Sequence, residues 1–409
     1  MEEVGKPLKQ LFQQEFSKMV SVIAKLFGLQ HIELAEDIVS ETFLSAMENW
    51  GQKGLPPNPT AWLYVVAKQK ALAHFRRNKI FESKVVPEIN SRQEIKEETV
   101  LEFSGQHIKD SQLQMMFAIC APAIGSEAQI GLALRILCGF GIDEIAEAFL
   151  SGKETINKRL FRAKEKLRKE NIRMELPPEN EMTQRLDNVL HIIYLLFNEG
   201  YYSKTQNQIL RKDLCFEAMR LGMMLTDYEK TNLPKTNALM ALMCFHASRF
   251  DARQQGEDPI LYKQQDEQLW DQKLIQQGIH FLNLSIRGNE VTAYHIEARI
   301  AFRHCIKEDT PEKWKDILSL YDQLLHINYS PIAALNRIYA VYKVYGAEAG
   351  IREAEGLLLT SNHFYFVLLG ELYKLVDKEK AKTLFTKALT MAGTEAEKKA
   401  IQKKLTGLS

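Results

Sequence analysis

Nowhere in the 409 residues is there an apolar run of about 18, the length a helix needs to cross a bilayer. The first residues, MEEVGKPLKQLFQQEF, have no apolar core of the kind a secretion signal needs, so the chain is expected to be cytoplasmic, without a membrane partner. Cysteine is sparse. Cys120, Cys138, Cys215, Cys244 and Cys305 lie far apart and form no CxxC pair, which indicates neither a zinc site nor a disulfide framework and leaves them as small apolar core residues. Also missing are HExxH, GxSxG, a phosphate-cradling glycine-rich loop and any His/Cys cluster with ligand spacing. The ten histidines are scattered, and His295 and His304 read as satisfied structural residues. No catalytic residue, metal or cofactor is expected, and the chain does not read as an enzyme. Excess charge is absent as well: 53 Lys and Arg meet 52 Asp and Glu, a near-cancellation that averages over segments of opposite sign.

What is present is helix. The length suggests two or three domains, and 45% hydrophobic with 26% charged residues is an ordinary globular composition. Apolar residues recur at helical spacing from Leu8 to Trp50, GQKGLPPNPT then breaks the pattern, and a further helix runs from Pro59 through Trp62 to Phe75. The charged, weakly apolar stretch from Ile80 to about Asp110 reads as a linker. A third helical block covers Gln112 to Lys169, with a turn at Pro122 and Gly125, and ELPPEN closes the first part of the chain. After Met182 the pattern becomes one of helix pairs. In the last pair Leu369, Gly370, Tyr373, Ala381, Phe385 and Ala388 follow the small and large order of a tetratricopeptide repeat with a loop one residue short. In NEGYY, Asn198 to Tyr202, Gly200 reads as a left-handed helix C-cap with the tyrosines packing back. The expected fold is all-α throughout.

The stretch GIDEIAEAFLSGKETINKRLFRAKEKLRKE holds two helical patterns around a short break. Ile142, Ile145, Ala146 and Phe149 form the buried face of a short helix, Leu150 to Gly152 the turn, and Ile156, Leu160, Ala163 and Leu167 the buried face of the next. This is helix-turn-helix spacing. The second helix carries eight basic residues against two acidic ones between Lys153 and Lys169. It leaves Lys153, Glu154, Asn157 and Lys158 free near its N-terminal end, where a recognition helix meets base edges, while Arg159, Arg162, Lys164 and Lys166 can reach flanking phosphates. A polyanionic partner accounts for this charge, and the first helix, neutral or acidic, mainly serves as a brace.

A second basic cluster lies in AWLYVVAKQKALAHFRR. Lys68, Lys70, His74, Arg76 and Arg77, then Lys79, occur with no acid between Trp62 and Phe81, and Trp62 and Tyr64 stand upstream. Basic side chains beside aromatics suit melted DNA, where unstacked bases lie on π-faces; Trp62 equally suits core packing. Just before it, ELAEDIVSETF places Glu33, Glu36, Asp37 and Glu41 on a polar face that repels phosphate and is expected to meet a protein.

Together AEDIVSETFLSAMENW, PTAWLYVVAKQKALAHFRR and IGLALRILCGFGIDEIAEAFLSGKETINKRLFRAKEKLR resemble regions two and four of a bacterial RNA polymerase sigma factor of the extracytoplasmic-function type. IIYLLFNEGYYS, DLCFEAMRLGMML, ALMALMCFHASRF and YDQLLHINYSPIAALNRIYAVY resemble the subgroup with a long tetratricopeptide-like helical extension. The resemblance departs at ICAPAIGSEAQ, where Ala121 stands in place of an expected His. It implies region 2 at 1–79, a linker at 80–110, region 4 at 111–176 and a helical regulatory domain at 181–409. It further implies that Asp37 and Glu41 dock the clamp of core polymerase, whose flap is a second contact. Trp62, Lys68, Lys70, His74, Arg76 and Arg77 would engage the minus-10 element of promoter DNA. Lys153, Glu154, Thr155, Asn157, Lys158, Arg159, Arg162 and Lys164 would read the minus-35 element. The expected function is a promoter-specificity subunit whose activity is set by its C-terminal domain, with a protein or peptide as a further partner. The alternative is a helix-turn-helix regulator that acts without polymerase; two different basic units in one chain favour the former.

Overall fold

The computed structural model describes residues 2–85, 104–149, 151–201, 211–255, 258–260, 262–357, 359–393 and 395–408. Among them the chain is helical apart from a two-residue antiparallel ladder, Gln254–Gln255 against Asp258–Pro259, so the all-α expectation holds. The chain divides into two compact units, Met1–Leu195 and Leu196–Ser409.

The first unit is built from α1 (Glu2–Phe27), α2 (Ile32–Lys53), α3 (Pro59–Val85), α4 (Gly105–Ile119), α5 (Ser126–Leu132), α6 (Ile142–Ala148), α7 (Lys153–Lys169) and most of α8 (Glu179–Tyr201). Gly28, at φ 86°, turns the chain between α1 and α2, a backbone conformation that a side chain would strain. Asn58 starts α3 by accepting the amide of Ala61 at 3.0 Å. Between α5 and α6 the helix passes through a π-helical turn, Ala133–Leu137.

Apolar periodicity decides how these helices assemble. Phe16, Met19, Val20 and Ile23 of α1 are fully buried, and α1 packs against α2, α3, α4 and the π-helical turn. It thus supplies apolar surface to α3 and to the π-helical turn, while α7 packs on α5 and α6. The stretch expected as a linker, 80–110, is helical at both ends, because α3 continues to Val85 and α4 begins at Gly105, capped by the Ser104 hydroxyl; 86–103 lie outside the described residues. The turn expected at Leu150 to Gly152 is seen at Ser151 and Gly152, Leu150 being outside them too.

The second unit continues with α9 (Lys212–Thr226), α10 (Pro234–Ala247), α11 (Phe250–Arg253), α12 (Gln272–Ser285), α13 (Ala293–Arg303), α14 (Pro311–Ile327), α15 (Pro331–Tyr345), α16 (Ala347–Leu357), α17 (His363–Tyr373), α18 (Lys378–Met391) and α19 (Glu395–Thr406). From α13 onward each helix packs on its sequence neighbours, as in a helical stack. Sharp starts come from side-chain caps: Asp271 accepts the amides of Lys273 and Leu274, Thr310 that of Lys313, and Asp377 those of Glu379 and Lys380. His295 is structural, its Nδ1 closing a capping box with Thr292 and its Nε2 lying 3.2 Å from the Ser285 carbonyl.

Two glycines mark close helix approaches. Gly200 is not the left-handed cap expected from the sequence; it lies inside α8 with a helical backbone. The reason is space, since a Cβ there would stand 2.7 Å from the Arg211 carbonyl oxygen and 2.8 Å from Cys215 Sγ. Tyr201 does pack inward, fully buried, with its hydroxyl 2.9 Å from His246 Nδ1; Tyr202 lies outside the described residues. All five cysteines are free, and four are buried. Burial pushes the Cys120 and Cys244 thiols up to about 12, and raises Cys215 and Cys305.

At Gly370 the fully buried Phe385 ring would lie 2.7 Å from a Cβ. Gly370→Ala is therefore expected to destabilise the second unit by about 1–3 kcal/mol through overpacking, read as a lowered midpoint in urea unfolding followed by circular dichroism.

Candidate nucleic-acid interface

The short helix α6 and the longer α7 meet as the sequence spacing requires. Ile145 and Ala146 of α6 and Ile156, Leu160, Ala163 and Leu167 of α7 are buried, so one face of α7 is committed to the core. α7 also packs on α5, and a side chain at Gly131 would come within 3.4 Å of Leu160. This fixes which side chains are free.

Lys153, Glu154, Thr155, Asn157, Lys158 and Arg162 are exposed. Within this set Lys153 pairs with Asp143 at 2.8 Å and Lys158 with Glu154 at 2.7 Å, and both pairs are solvated, so they are readily exchanged for another anion. Arg159 is more tightly held: it pairs with Glu127 at 3.1 Å and stands 5.7 Å from the Phe149 ring. Lys164 is different again. Its side chain is only 13% exposed, and its ammonium donates to Glu36 on α2.

Glu36 is the centre of a clasp between α2 and α7. Its carboxylate, 9% exposed, accepts from Lys164 through Oε2 and from Arg135 Nε through Oε1 at 3.0 Å. Arg135, from the π-helical turn, also donates to the Phe140 carbonyl at 3.1 Å and lies 5.5 Å from the Phe16 ring on α1. One turn further along α7, Arg168 pairs with Glu33 at 3.1 Å and donates to the Gln30 carbonyl. Part of the acidic face of α2, expected from its charge to meet a protein, is taken by α7 of the same chain. The signal was present in the sequence as matched spacing: Glu33 and Glu36 three apart, Lys164 and Arg168 four apart, each one helical turn. Arg135 carried no such mark. Asp37 and Glu41 remain exposed on α2; Glu41 stands 3.4 Å from Lys70 of α3, and Asp37 lines the same cleft as Asn157 and Lys164. Leu44 and Met47 extend the exposed face with apolar surface.

On α3, Trp62 is half-buried and packs edge-on against the buried Trp50, their ring centroids 5.4 Å apart. Tyr64 donates to Glu15 of α1, and burial first, then this bond, raises its pKa. Lys68, Lys70 and His74 are half-buried, His74 edge-on to Phe27 at 6.1 Å, while Arg76 and Arg77 are exposed. The basic face of α3 and the exposed N-terminal end of α7 are thus separate surfaces within one unit.

Residues 11–80 match the family described as sigma-70 region 2, and residues 185–286 match a family of unknown function, DUF6596. Along nearly its whole length the chain is similar to an uncharacterized protein of Rhizobium meliloti (strain 1021), with 32% identity over 394 residues that cover 94% of this chain and 92% of that protein. No solved structure matches. Among the described residues no helix is long and apolar enough to cross a membrane.

Glu36→Gln removes the charge that two nearly buried cations share. The expected loss is about 2–3 kcal/mol in the first unit, and the double variant Glu36→Gln/Lys164→Met should recover part of it, as a double-mutant cycle in urea would read.

Proposed function

Because this chain belongs to one family with the Rhizobium meliloti protein and carries a sigma-70 region 2 at residues 11–80, we propose that it is an extracytoplasmic-function type sigma factor with two DNA-reading units. The region 2 match makes it a sigma-70 family factor, a non-enzymatic initiation factor that binds core RNA polymerase and promoter DNA. That match is the observation that carries the reading.

In the finer proposal region 2 spans 1–79, region 4 spans 111–176, and 181–409 form a tetratricopeptide-like helical domain that sets activity. Asp37 and Glu41, exposed on α2, contact the polymerase clamp, with Leu44 and Met47 adding apolar area. The α3 face from Trp62 to Arg77 engages the minus-10 element, where Trp62 offers one half-buried ring edge. Lys153, Glu154, Thr155, Asn157, Lys158 and Arg162 face the minus-35 element from the open end of α7. Arg159 and Lys164 join them on release from Glu127 and Glu36.

Geometry adds a requirement. Elements centred about 25 base pairs apart are separated by roughly 85 Å of duplex, at about 3.4 Å per base pair. α2 and α7 touch through ion pairs near 3 Å. Reading both elements at once therefore requires α7 to leave α2, and core polymerase, by taking the acidic face of α2, competes with α7 for it. The compact first unit is the resting form, and the clasp is its latch.

Run-off transcription from a genomic promoter library with purified core polymerase tests the reading: promoter-selective transcripts should appear only with this chain. The absence of both transcripts and core binding would leave the polymerase-independent regulator. In that assay Lys158→Ala and Arg162→Ala should lower promoter affinity, and each should flatten the log-log salt slope by about 0.9 per lost phosphate contact. Glu33→Gln, which removes one exposed pair of the clasp worth about 0.2–1 kcal/mol, should raise core affinity roughly 1.5- to 5-fold; an unchanged affinity would show that the clasp does not restrain opening.

A further inference from the structure

The second unit gathers several buried polar groups around one ring, Tyr262. The Arg249 guanidinium carbon lies 5.7 Å from its centroid, the His304 ring 5.1 Å, the Trp270 ring 6.4 Å, and the Lys313 ammonium 5.3 Å. Gln265 is tied to the same residue by its backbone N–H, which donates to the Tyr262 carbonyl at 3.3 Å. Four atoms of this group, Arg249 Nε, Trp270 Nε1, His304 Nδ1 and Gln265 Oε1, are closed off from solvent and meet no hydrogen-bond partner among the described residues. Arg249 is 6% exposed, yet among the described residues no carboxylate pairs with its guanidinium.

This arrangement is costly. An unmet buried donor costs about 1–3 kcal/mol, and an unpaired buried charge costs more. Lys313, equally buried, adds a second cation; it donates to the Tyr262 hydroxyl at 3.1 Å and to the Ile306 carbonyl. Asp309 is the carboxylate facing Lys313, and it is already engaged by Lys343 at 2.5 Å and by the Trp314 indole N–H. Glu267 bears on Tyr262 from an exposed position. Burial, with Arg249 and Lys313, holds His304 neutral, its pKa brought down to about 3. Water could serve the orphaned N–H groups, but it would add no counter-charge for Arg249 and would leave Lys313 with only the Asp309 carboxylate that Lys343 already engages.

We propose that this cluster is a binding site for a small oxyanion, a carboxylate or phosphate group, with Arg249 and Lys313 as its counter-charges. The Trp270 and His304 N–H groups orient its oxygens, and Gln265 Oε1 accepts from a ligand O–H or N–H. Arg249, Tyr262, Gln265 and Trp270 fall within residues 185–286, the segment that matches the family of unknown function, whereas His304 and Lys313 lie beyond it. The site stands whether or not the chain is a sigma factor.

The test uses the full-length chain. Thermal unfolding and titration calorimetry are followed with inorganic phosphate or acetate as probe, at ionic strength held constant with chloride. Saturable binding is expected, with a melting temperature that rises with the logarithm of probe concentration; which probe binds tighter distinguishes phosphate from carboxylate. Because α7 also presents cations, the response is assigned by variants: Arg249→Gln and Lys313→Met, each with unchanged helical circular dichroism, should weaken binding at least tenfold. If one of them fails to fold, the other carries the test. A response equalled by chloride, no response to either probe, or variants that bind like the parent would overturn the site and leave ordered water as the partner of these atoms.

Discussion

One carboxylate organises the first unit. Glu36 lies nearly buried between Arg135 and Lys164, and through them α2, the π-helical turn and α7 are joined. The two cations share this one carboxylate, so removing it strands both, whereas removing one cation leaves Glu36 paired with the other. Such a contact contributes little net stability, yet it specifies one arrangement among many that apolar packing alone would accept. Arg135 extends that specification, since its guanidinium also meets the Phe140 carbonyl and the Phe16 ring.

The clasp sorts the cations of α7 into groups that composition cannot separate. Lys158 and Arg162 are available to a polyanion at once, whereas Lys164 is bound to its own chain. A helix with eight basic residues against two acidic ones therefore presents a weaker field than its sequence suggests. Part of that charge is spent within the chain, on Glu36 and Glu33 of α2.

Helical periodicity made most of the fold legible. Buried positions of α6 and α7 fall where apolar residues recur at helical spacing, and the small and large order of Gly370 and Phe385 corresponds to a ring packed against a bare backbone. Less was legible wherever the outcome depended on residues distant in the chain. Gly200 looked like a cap because its neighbours suggested a helix end; the approach of Arg211 and Cys215, which in fact demands a glycine, leaves no local mark. The candidate interface was readable as charge, but its internal neutralisation only as matched one-turn spacing: Glu36 and Lys164 are 128 residues apart, and that spacing does not say which segment meets which. Arg135 was invisible for the same reason, a lone cation in an apolar stretch. Arg249 and Lys313 meet only after several helices have stacked between them.

The sulfur of this protein has a consequence of another kind. Thiols react as thiolates, and a group with a pKa near 12 supplies on the order of one thiolate in 10⁵ at neutral pH. Cys120 and Cys244 are in that state, and Cys215 is further from ionising still. These side chains therefore carry almost no nucleophile to meet peroxide or a disulfide. These three thiols are therefore poor targets for oxidation, and a dye attached at a newly introduced surface cysteine would meet little competition from them.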